Sequence, residues 1–349
     1  MSLGFSVYLS RPFEEQHDRV RNLVAHGFDT MFTSLHIPED DVALYAGRLQ
    51  EVGAFAKEHG LRFIADVSTK SLQHLDKRWD QAQDVKAWGV TGLRIDYGIE
   101  PETIVAVSTH IQVVLNASTL TAADVSLLKG KGLNPAETEV WHNFYPRPET
   151  GLAREDFREW NEWLKDEGFQ VMAFVPGDEK RGPLYEGLPT IEEHRGVSPF
   201  AAWLDLTFRE QVPTILVGDV GLEDSTLEQF QAYREEGRIV LRAKPVEEIP
   251  DITCDHQNRK DAARDCLRSE ASRSLYGTRE IAPRHTLARP RGTITIDNQK
   301  YGRYQGEVQV TKRDLARDDK VNVLGRVIDE DLPLLSLIGG GVKFTIRWS

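Results

Sequence analysis

Cysteine is almost missing from this chain: there are two in 349 residues, Cys254 and Cys266, and they form no Cys-x-x-Cys pair. A disulfide framework is excluded, a zinc site is not expected, and a reducing cytoplasm is the simplest setting. Long apolar runs are missing as well. Nothing approaches the roughly 18 apolar residues of a membrane-spanning helix. The start of the chain lacks the basic segment and apolar centre of a secretion signal. Positive charge is not in surplus: 43 Lys and Arg face 55 Asp and Glu, a net charge of −12. Nucleic acid and anionic membranes demand a basic footprint, so neither is an expected partner, although a local basic pocket can still hold an anion. No Gly-x-Gly-x-x-Gly turn follows the first strand-like segment, which counts against an open dinucleotide-binding sheet. No His-x-His or His-Glu-x-x-His spacing supports a metal hydrolase built from His36, Asp66, His142 and Asp219, so no metal and no cofactor is expected. Lys70 lies past the end of its strand, which disfavours a Schiff-base aldolase.

What is present is a rhythm. Short apolar, β-branched and aromatic runs occur at 4–10, 28–37, 61–67, 92–97, 110–116, 139–143, 169–175 and 212–217. Segments with helical spacing alternate with them, among them 14–26, 40–59, 71–88, 155–167 and 222–236, and Gly27, Gly60 and Gly168 serve as stops. Thr121 and Asp124 form a capping-box pattern that opens another helix. Eight strands, each followed by a helix, predict an α/β fold with a TIM-type (β/α)8 barrel over residues 1–237. The strands read as continuous apolar runs, as expected when both faces are buried. From 238 to 349 the texture changes. Strand-like runs at 239–243, 292–296, 301–311, 321–328 and 342–348 are separated by turn residues, with one helix predicted over 260–274. That describes a second, mostly antiparallel domain, a small β-barrel.

In a (β/α)8 barrel the site lies at the C-terminal ends of the strands, and here all eight ends are polar. They carry Tyr8 and Ser10; Ser34 and His36; Asp66 and Ser68; Arg94, Asp96 and Tyr97; Asn116 and Ser118; His142, Asn143, Arg147 and Glu149; Asp178 and Arg181; and Asp219. A hydrophilic ligand accounts for that pattern. Glycoside cleavage needs two carboxyl groups flanking the bond, and Asp66, Asp96, Glu149, Asp178 and Asp219 are available. Asp66 and Asp96 are tied to their strands by core-type neighbours, whereas Asp178 and Asp219 also read as helix caps or loop ion pairs. Arg94 alternates with Asp96 and should share its side, either as an internal salt bridge or as a substrate contact. His142 and Asn143 have opposite parity, so only one should face the axis, and His142 reads equally as a structural hydrogen-bonder. The long loop 176–190 is rich in Pro, Gly, Leu and Tyr, and Arg181 with the Gly182 amide suits a phosphate. His194 and Arg195 just beyond it also read as charges at a helix end. The densest stretch is 141–152, WHNFYPRPETGL, whose prolines should hold Arg147 and Glu149 over the barrel mouth. In the second domain Asn298, Arg303 and Tyr304 suggest a lid.

WHNFYPRPETGL, the FVPGD…RGPLYEGLPTIEEHR loop, the GLRIDYGI strand and the ITIDN…YGRYQGEVQV hairpin together resemble the bacterial 6-phospho-N-acetylmuramidase family (MupG-like), a glycoside hydrolase family. The resemblance spans nearly the whole chain. It implies a catalytic (β/α)8 barrel and a C-terminal cyclophilin-like β-barrel. It also implies cytoplasmic hydrolysis of N-acetylmuramic acid 6-phosphate linked to N-acetylglucosamine in peptidoglycan recycling, and hence a small phosphorylated amino sugar as partner. A homodimer is left open. Asp66, Asp96 and Glu149 are the expected carboxylates. Ser34, His36, Arg94, Asn116, His142, Asn143, Arg147, Arg181, Asp219, Asn298, Arg303 and Tyr304 are the expected binding groups. The alternative is a non-catalytic sugar-phosphate binding or sensing protein, since a barrel alone proves no chemistry.

Overall fold

A computed structural model describes residues 2–35, 37, 41–248, 250–252 and 255–348. His36 and Cys254 lie outside these described residues. The first eight strands are β1 (Ser2–Ser6), β2 (Thr30–Ser34), β3 (Arg62–Val67), β4 (Gly92–Ile95), β5 (Gln112–Asn116), β6 (Glu139–Trp141), β7 (Gln170–Val175) and β8 (Thr214–Val217). All neighbours pair in parallel, and β8 returns to β1 through Leu3 opposite Ile215 and Phe5 opposite Val217, which closes the barrel. The helices between them are α1 (His17–Ala25), α2 (Tyr45–Glu58), α3 (Pro101–Ser108), α4 (Ala122–Gly130), α5 (Arg154–Asp166) and α6 (Pro199–Phe208), followed by α7 (Asp224–Glu236). Between β3 and β4 the expected α-helix over 71–88 is instead two 3₁₀ segments, Gln73–Leu75 and Trp79–Trp88. The Thr121–Asp124 capping box forms as its spacing predicts, each side chain accepting from the other residue's backbone N–H.

The barrel is filled by side chains two residues below the polar mouth. Phe32, Ile64, Val114, Trp141, Met172, Phe174 and Leu216 form one buried cluster. Period-two alternation then puts Ser34 above Phe32 and Asp66 above Ile64 on the same inward face. Burying each such aromatic or aliphatic side chain contributes about 1.5–3 kcal/mol, so the position of the polar layer is set by the apolar layer beneath it. Gly92 is part of this fit: a Cβ there would come within 2.7 Å of Ile64 Cδ1.

Helix α5 carries a polar residue on its buried side. Its buried stripe is Phe157, Asn161 and Leu164, while Trp160 is exposed and stacks edge-on to Trp163. The polar Asn161 sits in the stripe because it serves a buried histidine described below.

The chain divides into two compact units, one ending at Glu223 and one beginning at Asp224. In the second, β9 (Arg238–Pro245), β10 (His256–Gln257), β11 (Cys266–Arg268), β12 (Thr293–Asp297), β13 (Val308–Thr311), β14 (Val321–Val327) and β15 (Lys343–Trp348) form a mixed sheet in the order β10-β15-β9-β14-β12-β13-β11. Only β15 with β9 is parallel. A bridge between Asn258 and Ser269 brings the sheet's two edges together, so the barrel is nearly closed. The helix predicted over 260–274 is not formed. Its centre is β11, with Leu267 fully buried and Arg268 bound to Glu307 beside the neighbouring strand, and only Ser272–Tyr276 is helical (α8). Sheet pairing overrides the local helical pattern here. Likewise 301–311 is strand only from Val308. Gln299–Tyr304 is a 3₁₀ turn that Asn298 caps by accepting from the Lys300 N–H.

Candidate active site

Register brings the first three groups together. Ser34 on β2 stands opposite Asp66 on β3, and Asp66 opposite Arg94 on β4. The Arg94 Nη1 donates to Asp66 Oδ1 at 2.7 Å, Nη2 to Asn143 Oδ1 at 2.6 Å and to the Trp141 carbonyl at 3.3 Å. Ser34 Oγ donates to the other oxygen of Asp66 at 3.4 Å. Arg94 and Asp66 are both buried, their side chains only 4% and 8% exposed. A guanidinium of this kind is always charged, and its fork fits a carboxylate and an amide oxygen at once.

Asp96 completes the cluster. Its Oδ1 lies 3.7 Å from the same Arg94 nitrogen and accepts from Asn116 Nδ2 at 2.5 Å. With its side chain 18% exposed, it is the more open of the two carboxyls. The salt bridge expected between Arg94 and Asp96 is long, at 3.7 Å, and the close partner of Arg94 is Asp66 at 2.7 Å. On strand six Asn143 joins Arg94, while His142, which also borders the cavity above the apolar layer, makes its hydrogen bonds towards α5 and Ser118. The His142 Nε2 lies 2.7 Å from Asn161 Oδ1 on α5, and Nδ1 lies 3.3 Å from Ser118 Oγ. Complete burial pushes the imidazole down to about 4, against the pull of Asn161 and with a small further push from Arg94. It is a neutral, structural histidine at pH 7.

Above the apolar layer is a cavity of about 470 Å³. Ser34, Asp66, Arg94, Asp96 and Asn143 supply its polar wall, and Phe32, Phe144 and Phe174 its aromatic floor. Phe174 meets Phe32 at 5.3 Å and Phe144 at 5.1 Å between ring centres, both edge-on. This floor was not anticipated from the sequence, where each phenylalanine reads as ordinary core. The far rim is the loop after β7, through Arg181, Gly182, Pro183 and Leu184.

Asp219 organises that loop from below. It is almost fully buried, and its carboxylate accepts from the backbone N–H groups of Gly177, Arg181 and Leu188, each at 2.9 Å. Burial is the largest influence on it and raises its pKa, while the three N–H donors pull the other way. Asp219 thus positions the loop and does not line the cavity.

Within the barrel unit, two of the other expected groups are placed elsewhere. Arg147 and Glu149 are exposed, and neither lines the cavity. Glu149 has φ +70°, and its N–H, with that of Gly151, is held by the Glu192 carboxylate at 2.9 and 2.8 Å. Arg195 pairs with Glu192 and caps the Tyr145, Glu186 and Gly187 carbonyls, so the 141–152 turn is fastened to the 186–195 segment. Glu192 and Arg195 are the residues that shape this turn, and the Glu192 carboxyl is held down to about 2, chiefly by Arg195. His194 is buried against Asp205 at 2.8 Å. In the second unit, Asn298 is spent internally on the Asp319 carbonyl and Asn322, and Arg303 stacks on Tyr304 at 5.0 Å. Among the described residues no group of three or more His, Cys, Asp or Glu is arranged to hold a metal ion, and no helix is long and apolar enough to cross a membrane.

Residues 3–232 match the N-terminal domain of 6-phospho-N-acetylmuramidase and residues 239–347 match its C-terminal domain. A crystal structure of a conserved protein from a locus in Enterococcus faecalis, with an unknown function, is 42% identical over 100% of this chain and 97% of that one, with a TM-score of 0.90. A crystal structure of an uncharacterized B. cereus protein is 24% identical over 99% of both chains, with a TM-score of 0.73, and shares the fold. A comparison with curated proteins gave no match.

Proposed function

The chain belongs to the 6-phospho-N-acetylmuramidase family, and on that premise we propose that it is a glycosidase whose working carboxyl pair is Asp66 and Asp96. The proposed substrate is N-acetylmuramic acid 6-phosphate joined to N-acetylglucosamine, cleaved in the cytoplasm as cell wall is recycled. The observation that carries the assignment is that both carboxyls rest on one guanidinium nitrogen, Arg94 Nη1, at 2.7 and 3.7 Å, at the wall of the mouth cavity.

The two groups are differentiated by their surroundings. Asp66 is buried against its arginine at 2.7 Å, a partner that favours the carboxylate form, and in this proposal it stabilises the positive charge that grows at the anomeric carbon. Asp96 lies farther from the guanidinium, at 3.7 Å, and borders the cavity, so the arginine favours its charged form less, and the proposal gives it the proton. In the proposed step Asp96 protonates the glycosidic oxygen as the C1–O bond breaks. Water then adds hydroxide to C1 and returns a proton to Asp96. The aromatic floor offers apolar faces to a sugar ring, and Asn143 and Ser34 offer hydrogen bonds to its hydroxyl or acetamido groups.

The test is to incubate the protein with the phosphorylated disaccharide and follow both products by mass spectrometry, and the anomer first formed by NMR. Release of N-acetylglucosamine with N-acetylmuramic acid 6-phosphate supports the reading. Binding without turnover would sink it and leave the sugar-phosphate sensing alternative.

A further inference from the structure

The barrel mouth has a second compartment, off the ends of β1 and β8. It has a volume of about 280 Å³ and is walled by Tyr8, Ser10, Arg11, Gln16 and Val220. Arg181, Gly182 and Pro183 line both this compartment and the cavity that holds Asp66 and Asp96, so one arginine forms the partition between them.

The compartment is cationic in a chain whose net charge is −12. Arg11 and Arg181 line it. Arg19 stands behind it, bonded to Gln16 at 3.0 Å, with a buried Nε that has no hydrogen-bond partner. Two carboxylates are near. Glu179 lies 3.8 Å from Arg11, but both side chains are more than half exposed, and such a pair contributes only about 0–1 kcal/mol. Asp219 is occupied by three backbone N–H groups. Among the described residues no carboxylate forms an ion pair with Arg181. Its guanidinium lies 4.4 Å over the Tyr8 ring, and its backbone N–H is tied to Asp219. The Tyr8 hydroxyl is spent on the Gly218 carbonyl, and burial pushes its pKa up to about 12, so it stays neutral against the guanidinium. The arginine is thus fixed through its face, a side-chain contact with the Tyr8 hydroxyl and its backbone, and the rest of its guanidinium edge faces the compartment it lines. Both terminal nitrogens of Arg94, by contrast, are taken by Asp66, Asn143 and Trp141, and only its buried Nε has no partner.

We infer that this side compartment is the phosphate subsite: Arg181 grips the phosphate monoester of a sugar phosphate through two N–H groups, and Arg11 supplies the second positive charge. The inference rests on the proposed function for the sugar, and it adds the part of the site that selects the phosphorylated form. A dianion matches two guanidiniums, and planar bidentate recognition is what an arginine stacked on a ring is preorganised for. Asp219 acts through Arg181 as a positioning residue.

The test measures binding, which needs no turnover. Calorimetry compares N-acetylglucosamine 6-phosphate, which has the phosphate but no lactyl carboxylate, with N-acetylmuramic acid, which has the reverse. Arg181→Gln should weaken the phosphosugar about 10- to 100-fold, as loss of charge-assisted hydrogen bonds implies, and leave N-acetylmuramic acid within about twofold. Arg11→Gln, at an exposed position, should weaken the phosphosugar alone by a smaller factor. Inorganic phosphate should compete for the phosphosugar in the unmodified protein. Equal losses for both sugars, unchanged phosphosugar binding, or a loss confined to N-acetylmuramic acid would overturn the assignment, the last in favour of a carboxylate site. A protein that binds phosphosugar through Arg181 without cleaving the disaccharide keeps this inference and loses the hydrolase reading. One that cleaves without this discrimination does the opposite.

Discussion

Replacing Arg94 with Met should expose how much the site depends on a single buried charge. The guanidinium and the Asp66 carboxylate are 4% and 8% exposed and 2.7 Å apart. Met keeps much of the apolar stem but leaves the carboxylate in a poorly solvated layer above Phe32 and Ile64. Removing one member of a buried pair costs about 3–5 kcal/mol, because the remaining charge is uncompensated. In a unit of this size 1 kcal/mol moves the melting temperature by about 2–4 °C, so the barrel transition should fall by about 6–20 °C. Scanning calorimetry on the full chain reads this directly. The double variant Asp66→Asn with Arg94→Met removes the stranded charge and should recover at least about 2 kcal/mol relative to the sum of the single losses. The loss also carries a pH signature. Without its arginine the folded-state pKa of Asp66 rises, so the variant's deficit is largest above that pKa and shrinks as the pH falls and the carboxyl protonates. A deficit under about 1 kcal/mol at pH 7 that is the same at pH 4.5 would refute the claim that Arg94 holds Asp66 ionised.

Two further perturbations follow from the same geometry. The His142 imidazole, pushed down to about 4 by burial, is neutral in the folded chain, whereas the unfolded chain protonates near 6.5. Its contribution is therefore complete above pH 6.5 and is lost as the pH falls towards 4, by about 3 kcal/mol across the window. His142→Gln should flatten that part of the stability curve in paired denaturation series, and an unchanged slope would count against a buried neutral imidazole. Asp219→Ala removes the acceptor for three backbone N–H groups. It should cost about 2–4 kcal/mol, water offsetting part of the loss, and speed hydrogen exchange at the Arg181 and Leu188 amides, while protection there equal to the parent's would contradict its role as loop organiser.

The parts of the fold legible in the sequence are those where local pattern and burial agree. The apolar runs of the barrel strands are buried on both faces, so their hydrophobicity announces them, and period-two spacing puts Arg94 and Asp96 on one side, whereas the β3–β4 register that sets Asp66 beside Arg94 is not contained in either strand's own pattern. Opposite parity gives His142 and Asn143 different partners, Asn161 for the imidazole and Arg94 for the amide, although both border the cavity. The 141–152 turn was misleading because its functional groups are dense in sequence, while their orientation is set by Glu192 and Arg195, distant residues that grip the backbone and leave Arg147 and Glu149 outward. The aromatic floor was hidden because Phe32, Phe144 and Phe174 come from three separate segments and meet only when the barrel closes. The helix expected over 260–274 failed because β13 pairs with Cys266–Arg268 and Glu307 holds Arg268, contacts that no local window contains.

The central claim is that Asp66 and Asp96 perform different parts of one hydrolysis, and single-turnover kinetics of Asp96→Asn on two leaving groups tests it most directly. With the natural sugar leaving group, which needs a proton, the rate should fall by about 10²–10⁴. With an activated aryl leaving group, which leaves without one, it should fall far less, while Asp66→Asn should be slow on both. A variant Asp96→Asn that cleaves the disaccharide at the parent's rate would contradict the account.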